Sequence, residues 1–188
     1  MTEAPIRMLG FAGSLRSGSY NRALLRACVE RIPEGVGCDV FDLIDVPLYN
    51  GDVEEVGDPE PVVALKAAIH AADLVLIVTP EYNQGIPAVT KNAIDWGSRP
   101  PRPQAWDGKP VAILGTTPGR LGTVSAQRTL RESLSGLNAH VMDQPRMLVG
   151  GASALFEESL DLADEATIER LDKFMSAAAE WARVFQRS

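Results

Sequence analysis

Apolar positions fall into two kinds of run along this chain. Ile6, Met8, Leu9 and Phe11 lead up to Gly13, Leu74 to Val78 form an unbroken apolar run that ends in Thr79 and Pro80, and Val111 to Gly115 form a third. Continuous runs rich in β-branched residues suit strands covered on both faces, as in a parallel sheet. Cys38 to Leu43 alternates and predicts a second strand, and Ala139 to Met142 predicts a short last one. Helical spacing covers Asn21 to Arg31, closed by Pro33 and Gly35, and runs again from Pro59 and Pro61 through His70, with Val62, Leu65 and Ile69 on the inward side. Further helices are predicted after Pro87, over Ser125 to Leu134, and over Asp164 to Phe185, where Ile168, Leu171, Phe174, Met175, Ala178 and Trp181 share a face. Ile44 to Gly57, Arg99 to Trp106 and Asp143 to Leu155 read as irregular. The first of these is a solvated connection, a lid or a partner-binding segment.

Five strands alternating with helices, without internal repeats, predict one α/β domain over residues 1–188, a doubly wound parallel sheet with helices on both faces. In such sheets ligands bind beyond the carboxyl ends of the strands. The first, third and fourth strands end in GSLRSGSYN, TPEYNQGIP and TTPGRLGT, so all three unusual loops should share one edge.

Composition narrows the partners. The chain has 188 residues, 45% hydrophobic and 23% charged, as expected of a soluble globular protein. Eighteen basic against 25 acidic residues leave a net charge of -7, which argues against nucleic acid and anionic membrane surfaces as partners. Any anionic ligand must be held by local charge. The N-terminus lacks the basic start and apolar core of a leader peptide and no run is long enough to span a bilayer, so a cytoplasmic protein is expected. Cys28 and Cys38 have no C-x-x-C spacing and read as idle thiols, while His70 and His140 stand alone and give no metal site.

The chemistry is concentrated in the loops. Ser14, Arg16, Ser17, Ser19 and Asn21 precede a helix start, where unpaired N–H groups and the positive end of the helix dipole favour an anion. Arg16 adds a planar fork of donors suited to phosphate oxygens. An ordinary capped helix is the competing reading of this stretch, since Ser and Asn are favoured caps. In the second loop Pro80 stiffens the turn and a flat aromatic ligand could lie against Tyr82; the alternatives are an aromatic packed at the sheet edge for Tyr82 and a solvated acid for Glu81. The third loop, Thr116 to Gly122, is small and amide-rich, with Arg120 either a further local cation or a surface residue. A phosphate seat at one end and an aromatic slot at the other describe a mononucleotide. The switch between the first and third strands of a flavodoxin-like sheet, order 2-1-3-4-5, is where FMN binds. No G-x-G-x-x-G or G-x-x-x-x-G-K-[ST] is present, which disfavours a dinucleotide fold or a P-loop NTPase, and no C-x₅-R loop supports a phosphatase.

Gly13-Ser14-Leu15-Arg16 with Ser19 and Asn21, then Pro80-Glu81-Tyr82-Asn83 followed by Pro87 and Lys91-Asn92-Ala93-Ile94-Asp95-Trp96, resembles the NADPH-dependent FMN reductase family, which includes quinone and chromate reductases. The third loop is similar to that family's S-x-G-x-x-G-G segment, with Thr123 where a second glycine is usual. The resemblance implies a flavodoxin-like homodimer or homotetramer in which FMN carries hydride from NADPH or NADH to a small acceptor such as a quinone, a flavin, an azo compound or a metal oxyanion. It further implies that Ser14, Arg16, Ser19 and Asn21 hold the FMN phosphate, that Pro80, Glu81, Tyr82 and Asn83 line the isoalloxazine, and that Thr117, Pro118 and Gly119 meet the flavin from the third loop. Asn92, Asp95 and Trp96 would then support the loop or the interface. A flavodoxin-type electron carrier and a flavodoxin-like domain without redox activity are the alternatives. No catalytic side chain is expected, because the flavin carries the chemistry.

Overall fold

The computed structural model describes residues 4–186; the first three residues, part of the segment read for a leader, lie outside it. Strands β1 (Ile6–Ala12), β2 (Val36–Val40), β3 (Leu74–Val78), β4 (Pro110–Thr116), β5 (His140–Val141) and β6 (Met147–Val149) form one sheet of order β2-β1-β3-β4-β5, with β6 also pairing β4. Every pairing is parallel. Helices α1 (Tyr20–Glu30), α2 (Gly51–Val56), α3 (Glu60–Ala71), α4 (Ala88–Gly97), α5 (Val124–Ser135) and α6 (Glu165–Gln186) connect and cover it. This is the flavodoxin-like arrangement expected from the alternation.

Successive strand residues point to opposite faces, so the all-apolar β3 feeds two cores. Leu74, Leu76 and Val78 pack with Leu24 and Cys28 of α1 and with Phe174 and Met175 of α6. Val75 and Ile77 face Leu65 and Ile69 of α3, Ile94 of α4 and Leu130 of α5. All five β3 residues are buried, the outcome of two covered faces.

Three elements depart from the sequence reading. The segment 44–57 contains the short helix α2, capped by Asn50, whose Oδ1 accepts the Asp52 N–H at 2.9 Å. The last strand is also split. His140 and Val141 pair with Pro110 and Val111, residues 142–146 leave the sheet at Asp143 to Pro145, and Met147 to Val149 return to pair with Leu114 to Thr116. Pro145 has no N–H to give to a ladder, which suits the interruption. Strand β2 begins at Val36 and ends at Val40, earlier than the alternation of Cys38 to Leu43 suggests. Residues 99–106 are irregular as expected, and Trp106 pins them, fully buried, with its Nε1 donating to Ile94 O at 3.2 Å.

Candidate functional site

Two glycines let the loops at the carboxyl ends of the strands close on one another. A Cβ on Gly13 would fall 2.0 Å from Thr90 Oγ1 of α4, and one on Gly115 would fall 2.0 Å from the Thr79 carbonyl. Only glycine permits backbone so close. Residues 13–19, 79–85 and 116–123 consequently bound one cleft of about 210 Å³. Its walls carry Ser14, Arg16, Ser19, Asn21, Pro80, Glu81, Tyr82, Thr117 and Pro118 from the expected set, together with Gly18, Tyr20 and Thr116. Asn83 and Gly119 stand beside it in the same loops, outside the lining.

The first loop is an open donor surface. Between Ser14 and Gly18 no main-chain N–H meets a protein acceptor among the described residues. Ser19 is the N-cap of α1, its Oγ accepting the Asn21 N–H at 3.2 Å. The capped-helix reading and the anion-seat reading therefore both apply, to different residues of one loop. Arg16 is exposed and makes no ion pair among the described residues. Asn21 is 4% exposed and its amide is committed: Nδ2 donates to Thr116 O and Oδ1 accepts the Thr116 N–H, both at 2.9 Å. It bolts the start of α1 to the end of β4 and shapes the cleft floor. Beside it, Thr116 Oγ1 is buried without a hydrogen-bond partner among the described residues.

The second loop is a tight turn. Tyr82 and Gly85 exchange two backbone hydrogen bonds, at 3.2 and 3.0 Å, across Asn83 and Gln84, whose φ angles are 51° and 60°. Two positive φ values in succession make a type I′ turn, for which Asn is suited and Gln is not. Tyr82 is 53% exposed, so it is no packed aromatic at the sheet edge, and its hydroxyl stands 3.5 Å from Ser14 Oγ, across the mouth of the cleft. Glu81 is no solvated acid either, because Oε2 accepts the Ser125 and Ala126 N–H groups. The third loop is braced by β6 and the 3₁₀ turn after it, through Thr117 N–H to Val149 O at 3.0 Å, Ala152 N–H to Thr117 O at 3.1 Å and Gly151 N–H to Gly119 O at 3.0 Å. Arg120 is exposed on that platform.

Gly18, Tyr20 and Thr116 were the lining residues sequence reasoning passed over. Tyr20 carries the one available signal, an aromatic at a helix start between two assigned residues, and its ring meets Phe156 at 5.3 Å.

Larger cavities lie elsewhere, of about 310 Å³ against α1 and Phe41 and about 640 Å³ beside Tyr49 and Arg99. Part of their charge is already matched. Arg22 donates to Asp42 at 2.8 Å and holds that carboxyl below its ordinary range. Glu54 takes hydrogen bonds from Tyr49 and Arg99, which likewise lower it. The two thiols are chemically quiet, burial raising both and pushing Cys38 up to about 11. Among the described residues no group of three or more His, Cys, Asp or Glu could hold a metal, and no helix is long and apolar enough to cross a membrane.

The chain is similar to known proteins over almost its whole length. An NAD(P)H-dependent FMN reductase of Pseudomonas aeruginosa is 42% identical over 178 residues, 95% of this chain and 96% of that protein. A 2-hydroxy-1,4-benzoquinone reductase of a Burkholderia species is 40% identical over 171 residues, 91% of this chain and 93% of that one. Among solved structures, the flavoenzyme NAD(P)H:(acceptor) oxidoreductase FerB of Paracoccus denitrificans superposes with a TM-score of 0.86 at 32% identity, covering 95% of this chain and 97% of the other. With residues 6–154 matching the family's model, the chain belongs to the NADPH-dependent FMN reductases.

Proposed function

We propose that this protein is an FMN-dependent NAD(P)H oxidoreductase that reduces a small acceptor, a quinone foremost, and that the cleft at the carboxyl ends of β1, β3 and β4 is its flavin site. The observation that carries the reading is the run of unpartnered N–H groups from Ser14 to Gly18, set beside Ser14, Ser19 and the unpaired Arg16. That donor set has the chemistry of a phosphate monoester seat. The orphaned, buried Thr116 Oγ1 supplies a further hydroxyl on the cleft floor, suited to a polar ribityl chain. Tyr82 and the Pro80–Asn83 turn offer an aromatic face and main-chain edges for a flat ring. The residues fit FMN.

When bound, FMN supplies a carrier that takes hydride from the nicotinamide and returns two electrons, with protons from solvent, to a quinone that leaves as hydroquinone. The chain's own part is to seat and orient. Arg16 and the loop amides neutralise the phosphate through charge-assisted hydrogen bonds worth about 1.5–3 kcal/mol each. Asn21 keeps the loop at a fixed distance from Thr116, and the Tyr82 turn sets the ring plane. No side-chain base or nucleophile is required, because hydride transfer needs alignment of two rings rather than a proton relay.

A need for NAD(P)H, together with two cysteines that form no disulfide with each other, supports a cytoplasmic location. Ile44, Leu48, Val53, Val56 and Val63 expose apolar side chains along residues 44–63, which supports a homodimer or homotetramer formed through that surface.

The test is a titration of the apoprotein. FMN should bind tightly and riboflavin weakly, since only FMN has a terminal phosphate, and anaerobic NADPH should bleach the bound flavin within seconds. Failure to take up FMN would remove the flavin reading. Uptake without bleaching would make the protein an electron carrier.

A further inference from the structure

Glu81 joins two walls of the cleft. It follows Pro80, between β3 and the Tyr82–Gly85 turn, and its Oε2 accepts the N–H groups of Ser125 at 2.8 Å and Ala126 at 3.0 Å. Those amides belong to the first turn of α5, where they have no partner within the helix. The residue before a helix usually satisfies such groups with its side chain. Here that residue is Thr123, which makes no capping bond, its Oγ1 accepting instead from Gln127 Nε2 at 3.0 Å. The carboxylate thus caps α5 from a different loop, with its negative charge at the positive end of the helix. Glu81 also lines the cleft, so the bond that closes α5 fixes the wall carrying Pro80 and Tyr82. A second tie acts on the same wall, as Thr79 Oγ1 donates to Pro80 O at 2.9 Å.

We propose that Glu81 is a positioning residue of the flavin site, which clamps the Pro80–Asn83 turn to α5 and so fixes both the plane and the electrostatic surroundings of the flavin ring. The proposal rests on the FMN reductase reading above. The clamp has two separable consequences. Mechanically, it removes a hinge between β3 and the turn. Electrostatically, a bare carboxylate beside a flavin would oppose the negative charge gained on reduction, whereas one taken up by two N–H donors at a helix end is offset. Gln can accept the same two hydrogen bonds through Oε1 without the charge, and Ala can do neither, so the two substitutions divide the roles.

The experiment compares wild type, Glu81→Gln and Glu81→Ala in FMN titration, visible absorption of the bound flavin and its midpoint potential, with far-UV circular dichroism as the check on folding. Glu81→Ala should weaken FMN binding about tenfold, as expected for loss of a charge-assisted pair, and should blur the vibronic shoulders of the flavin band. Glu81→Gln should bind FMN within about threefold of wild type while its midpoint potential moves to more positive values, because the remaining charge near the ring is gone. A merely structural cap would move the potential in neither variant. If Glu81→Ala does not fold, Glu81→Gln carries the test alone. An unchanged potential and spectrum in Glu81→Gln, or FMN binding by folded Glu81→Ala equal to wild type, overturns the proposal while leaving the flavin reading intact. A wild-type protein that takes up no FMN overturns both.

Discussion

Asn21 shows how a residue's type can be legible when its partner is not. Its place five residues after the first loop's arginine and two after the N-cap fits a phosphate ligand, and it does line the cleft, yet both ends of its amide are spent on the Thr116 backbone. Asn21→Asp keeps the acceptor for the Thr116 N–H and loses the donor, setting a carboxylate oxygen against a buried carbonyl. The expected cost is about 1–3 kcal/mol of stability, seen as a lowered Tm of the apoprotein. Because the damage is to the cleft floor, riboflavin affinity should fall along with FMN affinity. A loss confined to FMN, with Tm unchanged, would mean that Asn21 acts on the phosphate directly. The same distinction holds for Glu81. Its motif marks it as part of the site, but the amides it caps are 44 and 45 residues away, and nothing in local spacing encodes such a distance. Ser14, Arg16 and Tyr82 do line the cleft, a placement that residue type and loop position alone suggest.

At the scale of elements, the long and periodic ones were legible and, β5 apart, the shortest were not. Strand β3 and helices α1, α3, α5 and α6 bury a continuous face, and burial writes itself into the sequence as period. Helix α2 buries no residue at all, and β6 has three residues, so neither carries a period to read. Both are held by partners remote in sequence. Asn92 of α4 accepts the Tyr49 N–H and donates to Pro47 O, each at 2.8 Å, and Trp96 Nε1 donates to Pro47 O at 2.8 Å. Asn92 and Trp96 thus support the segment that precedes α2. They hold residues 46–49 against α4 and leave Leu48 75% and Val56 92% exposed. A fixed segment with its large apolar side chains outward is suited to meet a second copy of the chain. Leu48→Asp combined with Val56→Asp should therefore shift the protein from oligomer to monomer in size-exclusion chromatography with light scattering, without a loss of helical circular dichroism. Both side chains are in solvent in the single chain, so the substitutions remove no internal contact. An oligomer that survives both would place the interface on another surface.

For the whole molecule, the question is how a chain with a net charge of -7 attracts a dianion. Two fields act on approaching FMN. The summed charge repels it at long range, and at the proposed flavin site Arg16 with the open amides of the first loop would attract it within a few ångströms. Salt screens the first far more than the second, because the Debye length is about 30 Å at 0.01 M and about 8 Å at 0.15 M, whereas contacts at hydrogen-bond distance lie well inside either. The association rate should therefore rise with ionic strength, by roughly twofold to fivefold between those concentrations, while the dissociation rate changes little. Riboflavin, without the phosphate, should associate at a rate independent of salt, which makes it the internal control. Arg16→Ala should leave the rising trend of the association rate in place and raise the dissociation rate, since it removes only the short-range partner. Stopped-flow quenching of flavin fluorescence reads both rates. A fall in the FMN association rate with salt would mean that the cleft's local positive field extends past its mouth and steers the nucleotide in, which would give Arg120 on the third loop a share in capture.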